Sequence, residues 1–165
     1  MIFFTTINLV KQNTLIDSTV SDKVLTNILS DSHEVYLQEV LGNDLYVVLQ
    51  NAVVNNNLTT KQKTLIDNYV VKYLFAVTEK LCLDDLYIKY TQNGVYSANP
   101  SNTSSKSIDE LKSIKITKER KISVYEGLIK SFIEDNEDDF TEYFEVDQYI
   151  PPIEGQRYGF YFEED

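Results

Sequence analysis

Few side chains in this sequence are placed to perform chemistry. Two tight acidic clusters, Asp84-Asp85 and Glu137-Asp138-Asp139, are of the type that can bind a divalent cation or share a proton. Neither cluster has the spacing of an EF-hand or a converging set of polar partners, so we interpret both as ordinary solvated helix ends. We therefore assign no catalytic residue, no metal site and no cofactor.

Cysteine and histidine, which often serve chemistry, occur once each. Cys82 lies in a strongly apolar stretch, where a lone thiol usually fills core space. His33 has no second imidazole to join it in binding a metal, and we expect it on an exposed helix surface. The sequence also lacks a glycine-rich phosphate loop, a nucleophile elbow, and the HExxH and CxxC motifs. These patterns predict a protein that is not an enzyme.

The charge is distributed unevenly along the chain. The net charge is −11, and residues 134–165 carry 12 acidic residues against Arg157 as the single basic one, which accounts for all of it. Residues 1–133 are balanced, with 14 basic and 14 acidic residues. The chain therefore has a neutral body and an acidic tail.

A long apolar stretch predicts a central helix over residues 60–92. Within residues 69–77 only Lys72 is charged. The polar residues fall on one narrow helical stripe, formed by Lys61, Asn68, Lys72 and Glu79. A helix that is apolar on its remaining sides must be enclosed by others. After Leu81 the pattern slips, which predicts a break, with Asp84 or Asp85 capping a fresh start.

The remaining body contains further helix signals. Ser21 is a candidate N-cap for a helix over residues 22–41, which Gly42 ends, and Asn43-Asp44 begins the next helix. Ser107 and Glu110 have the spacing of a capping box, which predicts that the last long helix starts there. Turn chemistry at Asn93-Gly94 and the polar composition after it predict a surface loop over residues 93–107, with a hairpin tip as one form of it.

Together these signals predict a mainly α fold. We expect a bundle of about four helices with a long central helix, over residues 21–139. Residues 1–20 are predicted as an N-terminal arm, because residues 2–10 are rich in β-branched and aromatic types that suit an extended chain. Residues 140–165 are predicted as an acidic, aromatic C-terminal arm. The predicted core includes Val70, Leu74, Val77 and Leu128.

Two sets of residues are candidates for binding a macromolecule. The first half of the last helix is basic, through Lys112, Lys115, Lys118, Arg120 and Lys121. Such a run can touch nucleic acid or an acidic segment of this chain or a neighbour, but a solvated face is the interpretation we favour. The C-terminal segment carries eight aromatic residues, Phe140, Tyr143, Phe144, Tyr149, Tyr158, Phe160, Tyr161 and Phe162. They either fold back on the bundle or dock on another chain, and we favour docking.

No apolar run approaches the roughly 18 residues of a membrane span, and the N-terminal residues lack the features of a signal peptide. We therefore expect a protein made and used in a reducing cytoplasm, with no membrane partner.

Several segments, taken together, resemble those of a known family. They are the apolar N-terminal arm, LGNDLY at residues 41–46, YVVKYLFAV at residues 69–77, the polar loop after Asn93-Gly94, and the basic, amphipathic last helix. In this order they resemble the small head–tail connector (adaptor) proteins of tailed bacteriophages, in the variant found in phages of Bacteroides-type hosts, including the crAss-like group. The resemblance covers about residues 2–135 and does not include the chain beyond Phe140.

The resemblance implies a virion structural protein at the head–tail junction, assembled in the cytoplasm of the bacterial host. It implies a dodecameric, homo-oligomeric ring that binds the portal protein on one side and tail or further connector proteins on the other. DNA would pass through the channel without sequence-specific binding. The competing interpretation is a free acidic regulator or inhibitor, such as a DNA mimic, that binds a basic protein. Clustered acids favour the regulator, whereas the spread aromatics and the apolar N-terminus favour assembly.

Overall fold

A computed structural model describes residues 4–85, 88–91, 94–97 and 108–144, and these ranges are mainly α-helical. The predicted mainly α helical bundle is confirmed. A two-stranded antiparallel hairpin, β1 (Ile88–Thr91) and β2 (Gly94–Ser97), is added to it. None of the helices in the described ranges is long and apolar enough to cross a membrane.

The N-terminal segment differs from the predicted extended arm. Helix α1 spans Ile7–Asn13, and the hydroxyl of Thr6 caps it by accepting a hydrogen bond from the Leu9 N–H at 3.3 Å. Val10 is fully buried, and Phe4 packs into the main core. The burial of these side chains and the cap outweigh the extended preference of the β-branched residues, so this part of the chain belongs to the body.

Helix α2 has the predicted limits, residues 22–41. It is α-helical over Asp22–Asp31, π-helical over Ser32–Leu37 and α-helical again over Gln38–Leu41. Gly42 ends it with a φ of 73°, a backbone angle that costs glycine little. Helix α3, Asn43–Val54, follows directly, which confirms the predicted helical corner.

The central helix, α4, runs over residues 60–85. Thr59 and Gln62 close a capping box at its start, and a π-helical segment, Ile66–Val70, lies between the α-helical segments Thr60–Leu65 and Val71–Asp85. The predicted continuation to residue 92 is wrong, because the chain enters β1 at Ile88 instead of starting a new helix. The predicted loop is also shorter at its start, since Gly94–Ser97 is a strand. Residues 98–107 lie outside the described part of the chain.

The last long helix, α5, spans Ile108–Glu134 and packs along α4. It begins where the capping-box pattern predicts, although Ser107 itself lies outside the described residues. A 3₁₀ turn, Glu137–Asp139, reverses the chain, and the short helix α6, Thr141–Phe144, lies against α3.

Within the described ranges the buried apolar residues form two clusters. The larger joins α2, α3, α4 and α5 and includes Val70, Leu74 and Val77, all fully buried as predicted. The smaller joins α1, α2 and α4 around Leu25, Leu29 and Cys82. The prediction for Leu128 is wrong, because 44 % of it is exposed while its neighbour Ile129 is fully buried. Adjacent residues lie about 100° apart around a helix, so only one of the two can face α4.

Candidate functional site

The only histidine is buried, not exposed as predicted. His33 lies in the π-helical segment of α2 with no exposed surface, and its ring stacks on Phe4 with 5.8 Å between ring centroids. Its Nδ1 is 2.7 Å from the Leu29 carbonyl oxygen, to which a protonated Nδ1 donates, and Nε2 has no hydrogen-bond partner among the residues that the structure describes. Burial lowers the pKa of His33, although the Leu29 carbonyl opposes this. The neutral ring is therefore a core group.

Cys82 is buried in the smaller cluster, which confirms its predicted role as a core residue. In the part of the chain that the structure describes, no three His, Cys, Asp or Glu side chains are grouped as they would be to hold a metal ion. Glu137, Asp138 and Asp139 are exposed on the 3₁₀ turn, in agreement with a solvated acidic cluster. The side chains of Asp84 and Asp85 lie outside the described residues.

Glu79 is a buried charge that the sequence placed on a polar stripe. Its carboxylate accepts hydrogen bonds from the Lys118 ammonium at 2.6 Å and from the Leu15 N–H at 3.0 Å, and Lys121 lies 3.8 Å away. Burial alone would raise the pKa of Glu79, but the hydrogen bond from Lys118, the Leu15 N–H and the charges of Lys118 and Lys121 outweigh it and hold this pKa below its usual value. The ionised carboxylate therefore ties α5 and the segment after α1 to the central helix.

The five basic residues predicted as one face of α5 do not point the same way. Lys118 and Lys121 turn toward Glu79, and Lys115 is half-buried. Lys112 and Arg120 are exposed. Arg120 lies about 180° around the helix from the buried Ile129. Part of the basic character is thus used within the fold, and Arg120 is directed away from it.

A surface that the sequence analysis missed lies beside Arg120. We define the outer face of α5 by Ile116, Arg120, Val124, Gly127 and Leu128. Its apolar side chains are 65 %, 55 % and 44 % exposed for Ile116, Val124 and Leu128, respectively. Their spacing of four or eight residues was a detectable signal, but Ile116 and Val124 were not considered and Leu128 was assigned to the core, because the buried positions of α5 repeat with the same period.

The opposite end of α5 is acidic. Glu134, Asp135, Glu137, Asp138 and Asp139 are all exposed, and Glu142 is partly exposed. They begin 13 residues beyond Lys121, which is about 20 Å along a helix. The described surface therefore carries positive charge near the start of α5 and negative charge after its end.

The aromatic residues of the C-terminal segment divide into three groups. Phe140 is fully buried in the main core and meets Phe132 edge-on, with 6.0 Å between ring centroids. Tyr143 packs against the same cluster, whereas Phe144 is 41 % exposed. The remaining five, Tyr149, Tyr158, Phe160, Tyr161 and Phe162, lie outside the described residues. The predicted boundary at residue 140 is therefore too early, since the body includes Phe140 and Tyr143.

These surface features are suited to binding a protein partner. Separated charges and exposed apolar area can steer and hold a protein partner, since complementary charge sets the approach and buried apolar area sets the strength.

No curated protein and no solved structure matches this chain. A family model, described as a family of unknown function (DUF6712), matches residues 37–153, which include the end of α2, all of α3, the central helix, the hairpin, α5 and α6. Because the match covers more than two thirds of the sequence, the chain belongs to the family of unknown function DUF6712.

Proposed function

We propose that this protein is a non-enzymatic virion subunit, a head–tail connector that forms a ring between the portal and the tail and contributes to the DNA ejection channel. The resemblance of residues 2–135 to connector proteins motivates the proposal. The observation that carries it is the separation of charge on the described surface, basic near the start of α5 and acidic after its end.

Charge separation of this kind suits a ring. In a closed ring each subunit presents one surface to one neighbour and a different surface to the other, so the two surfaces must be complementary rather than identical. A basic region and an acidic region about 20 Å apart on one subunit meet this requirement. An excess of acid facing the channel would also repel DNA phosphates during ejection.

The proposal is tested by imaging the purified full-length protein alone and mixed with the portal protein from the same genome. We expect closed rings of uniform copy number that bind one end of the portal, and mass photometry should show the ring mass. Raising the salt concentration should slow ring assembly, because screening weakens charge steering. A protein that stays monomeric with and without portal would contradict the proposal.

A second candidate is a free acidic regulator that binds a basic protein. The exposed acids at residues 134–142 and the net charge of −11 favour it. Mixing the monomer with nucleic-acid-binding proteins distinguishes the two candidates. A regulator should form a salt-sensitive complex with such a protein and displace DNA from it, whereas a connector should do neither and should bind portal.

A further inference from the structure

The outer face of α5 combines apolar area with positive charge on a helix whose other side is packed. Ile116, Val124 and Leu128 extend over 12 residues, or about 18 Å of helix. Single exposed apolar residues are ordinary, but three on one helix face beside an exposed arginine form a candidate binding surface. Residues 112–130 contain six basic and two acidic residues, but Lys118 and Lys121 turn toward Glu79, so the charge on the outer face itself is that of Arg120.

Gly127 provides an independent observation about this face. It lies inside a 27-residue helix, where glycine is less stable than alanine. A Cβ atom added at Gly127 would meet no atom of the described residues within 4 Å, so packing within the described part of the subunit does not require glycine here. Glycine does allow another backbone to approach the helix closely. Its position between Val124 and Leu128 places that approach on the outer face.

We propose that the outer face of α5 is the docking surface for residues 145–165 of a second copy of this chain. Those residues contain six acidic side chains against Arg157, together with five aromatic rings, so they complement both the charge and the apolar area of the face. The exposed acids of residues 134–142 match only the charge, because the ring of Phe140 is already buried in its own subunit.

The position of the last described residues favours a second copy over docking within one chain. Helix α6 ends at Phe144 and lies against α3, and Phe140 packs on the core side of α5. The described part of the chain thus ends on the side of α5 opposite to the outer face. Docking on a neighbour also produces the head-to-tail contact of a ring, so the inference specifies a contact within the proposed assembly.

The test uses two full-length variants with complementary defects. The face variant carries Arg120→Glu and Val124→Asp, and the tail variant carries Phe160→Ser, Tyr161→Ser and Phe162→Ser. We expect each alone to self-associate about tenfold or more weakly than the parent protein in sedimentation velocity, equivalent to a tenfold rise in Kd. Mixed together, they should form a one-to-one heterodimer, because the tail variant offers an intact face to the intact tail of the face variant.

Two further variants separate docking from folding. Gly127→Leu should raise the melting temperature by removing a helical glycine, and should still weaken self-association by blocking the approach. Val54→Asp changes a comparably exposed valine on α3 and should leave self-association unchanged.

Several outcomes would overturn the inference. One is that the mixed variants form no heterodimer. Another is that the face variant or Gly127→Leu self-associates as strongly as the parent protein. A third is that the tail variant melts at a lower temperature but self-associates as before, which would indicate docking within one chain. The heterodimer requires neither a closed ring nor portal. A heterodimer without rings would therefore contradict the connector proposal alone, and rings without the heterodimer would contradict this docking surface alone.

Discussion

Replacing Phe140 with alanine should destabilise the bundle strongly, whereas the same change at Phe144 should have little effect. The two phenylalanines lie four residues apart at the C-terminal end of the body and differ mainly in burial. Phe140 has no exposed surface and packs on Phe132, while Phe144 is 41 % exposed. The pair is therefore a matched test of whether the body extends past the 3₁₀ turn.

The expected change in the free energy of unfolding follows from the burial that is lost with each ring. Removing a fully buried phenylalanine side chain forfeits its transfer free energy and leaves a cavity, which typically costs about 3–5 kcal/mol. The edge-on contact with Phe132 is included in that figure. For a chain of this size each kcal/mol lowers the melting temperature by about 2–4 °C, so Phe140→Ala should melt roughly 6–20 °C lower. Phe144→Ala should cost less than about 1 kcal/mol, because much of its ring is already in water.

The assay is thermal and urea unfolding followed by helical circular dichroism. Two truncated chains extend this assay. A chain of residues 1–144 should unfold like the full-length protein, whereas a chain of residues 1–139 should show the loss of stability seen in Phe140→Ala. Equal stability of Phe140→Ala and Phe144→Ala would refute the packing argument. A chain of residues 1–144 that fails to fold would show instead that residues beyond Phe144 belong to the core.

Three other changes test the interior. Glu79→Gln should cost roughly 1–3 kcal/mol in urea unfolding at neutral pH, because it leaves the Lys118 charge without its partner. Glu126→Gln, in the half-exposed pair with Lys130, should cost less than about 0.5 kcal/mol. Since the pKa of Glu79 is lowered in the fold, its contribution to stability is present above the unfolded pKa of about 4.3 and is lost as the pH falls from there through the folded pKa. The free energies of unfolding of the parent and of Glu79→Gln should therefore converge in acid. A difference between them that stays constant with pH would contradict this. The lowered pKa of His33 means that stability should fall as the pH drops below about 6.5, where the unfolded chain binds a proton that the folded one does not, and His33→Gln should flatten this dependence. Leu74→Asp places an unpaired charge in the core and should cost roughly 4 kcal/mol or more, so an unchanged melting curve would mean that the role of α4 in the core is misinterpreted.

The helical limits could be predicted where local signals and tertiary packing agree. Helix α2 ends at Gly42, whose φ of 73° is the backbone state that a C-terminal glycine predicts. The capping box of Thr59 and Gln62 starts the central helix at residue 60, where the sequence predicts its start. Val70, Leu74 and Val77 are buried because a helix that is apolar on nearly all sides must be enclosed by other elements.

Other positions could not be predicted, because their environment comes from residues far away in the sequence. Glu79 is buried because Lys118, 39 residues later, and the Leu15 N–H, 64 residues earlier, reach its carboxylate. His33 is buried because Phe4 covers its ring. Each of the two π-helical segments has more residues per turn than an α-helix. Positions after such a segment are therefore rotated around the helix relative to those that a period of 3.6 residues predicts. Lys72 and Glu79 lie seven residues apart on one side of the α-helical segment Val71–Asp85, so Glu79 is buried by its distant partners and not by a change of helical phase.

The basic residues of α5 show how folding decides which charges remain for a partner. Counted in the sequence, Lys112, Lys115, Lys118, Arg120 and Lys121 form one run. In the fold, Lys118 and Lys121 neutralise Glu79, and Lys80 pairs with Glu119 at 3.3 Å on the same flank. Arg120 lies on the far side of the helix, next to exposed Val124. The positive charge directed outward is thus small and adjoins apolar surface, a combination that suits an acidic, aromatic protein segment better than the closely spaced phosphates of nucleic acid.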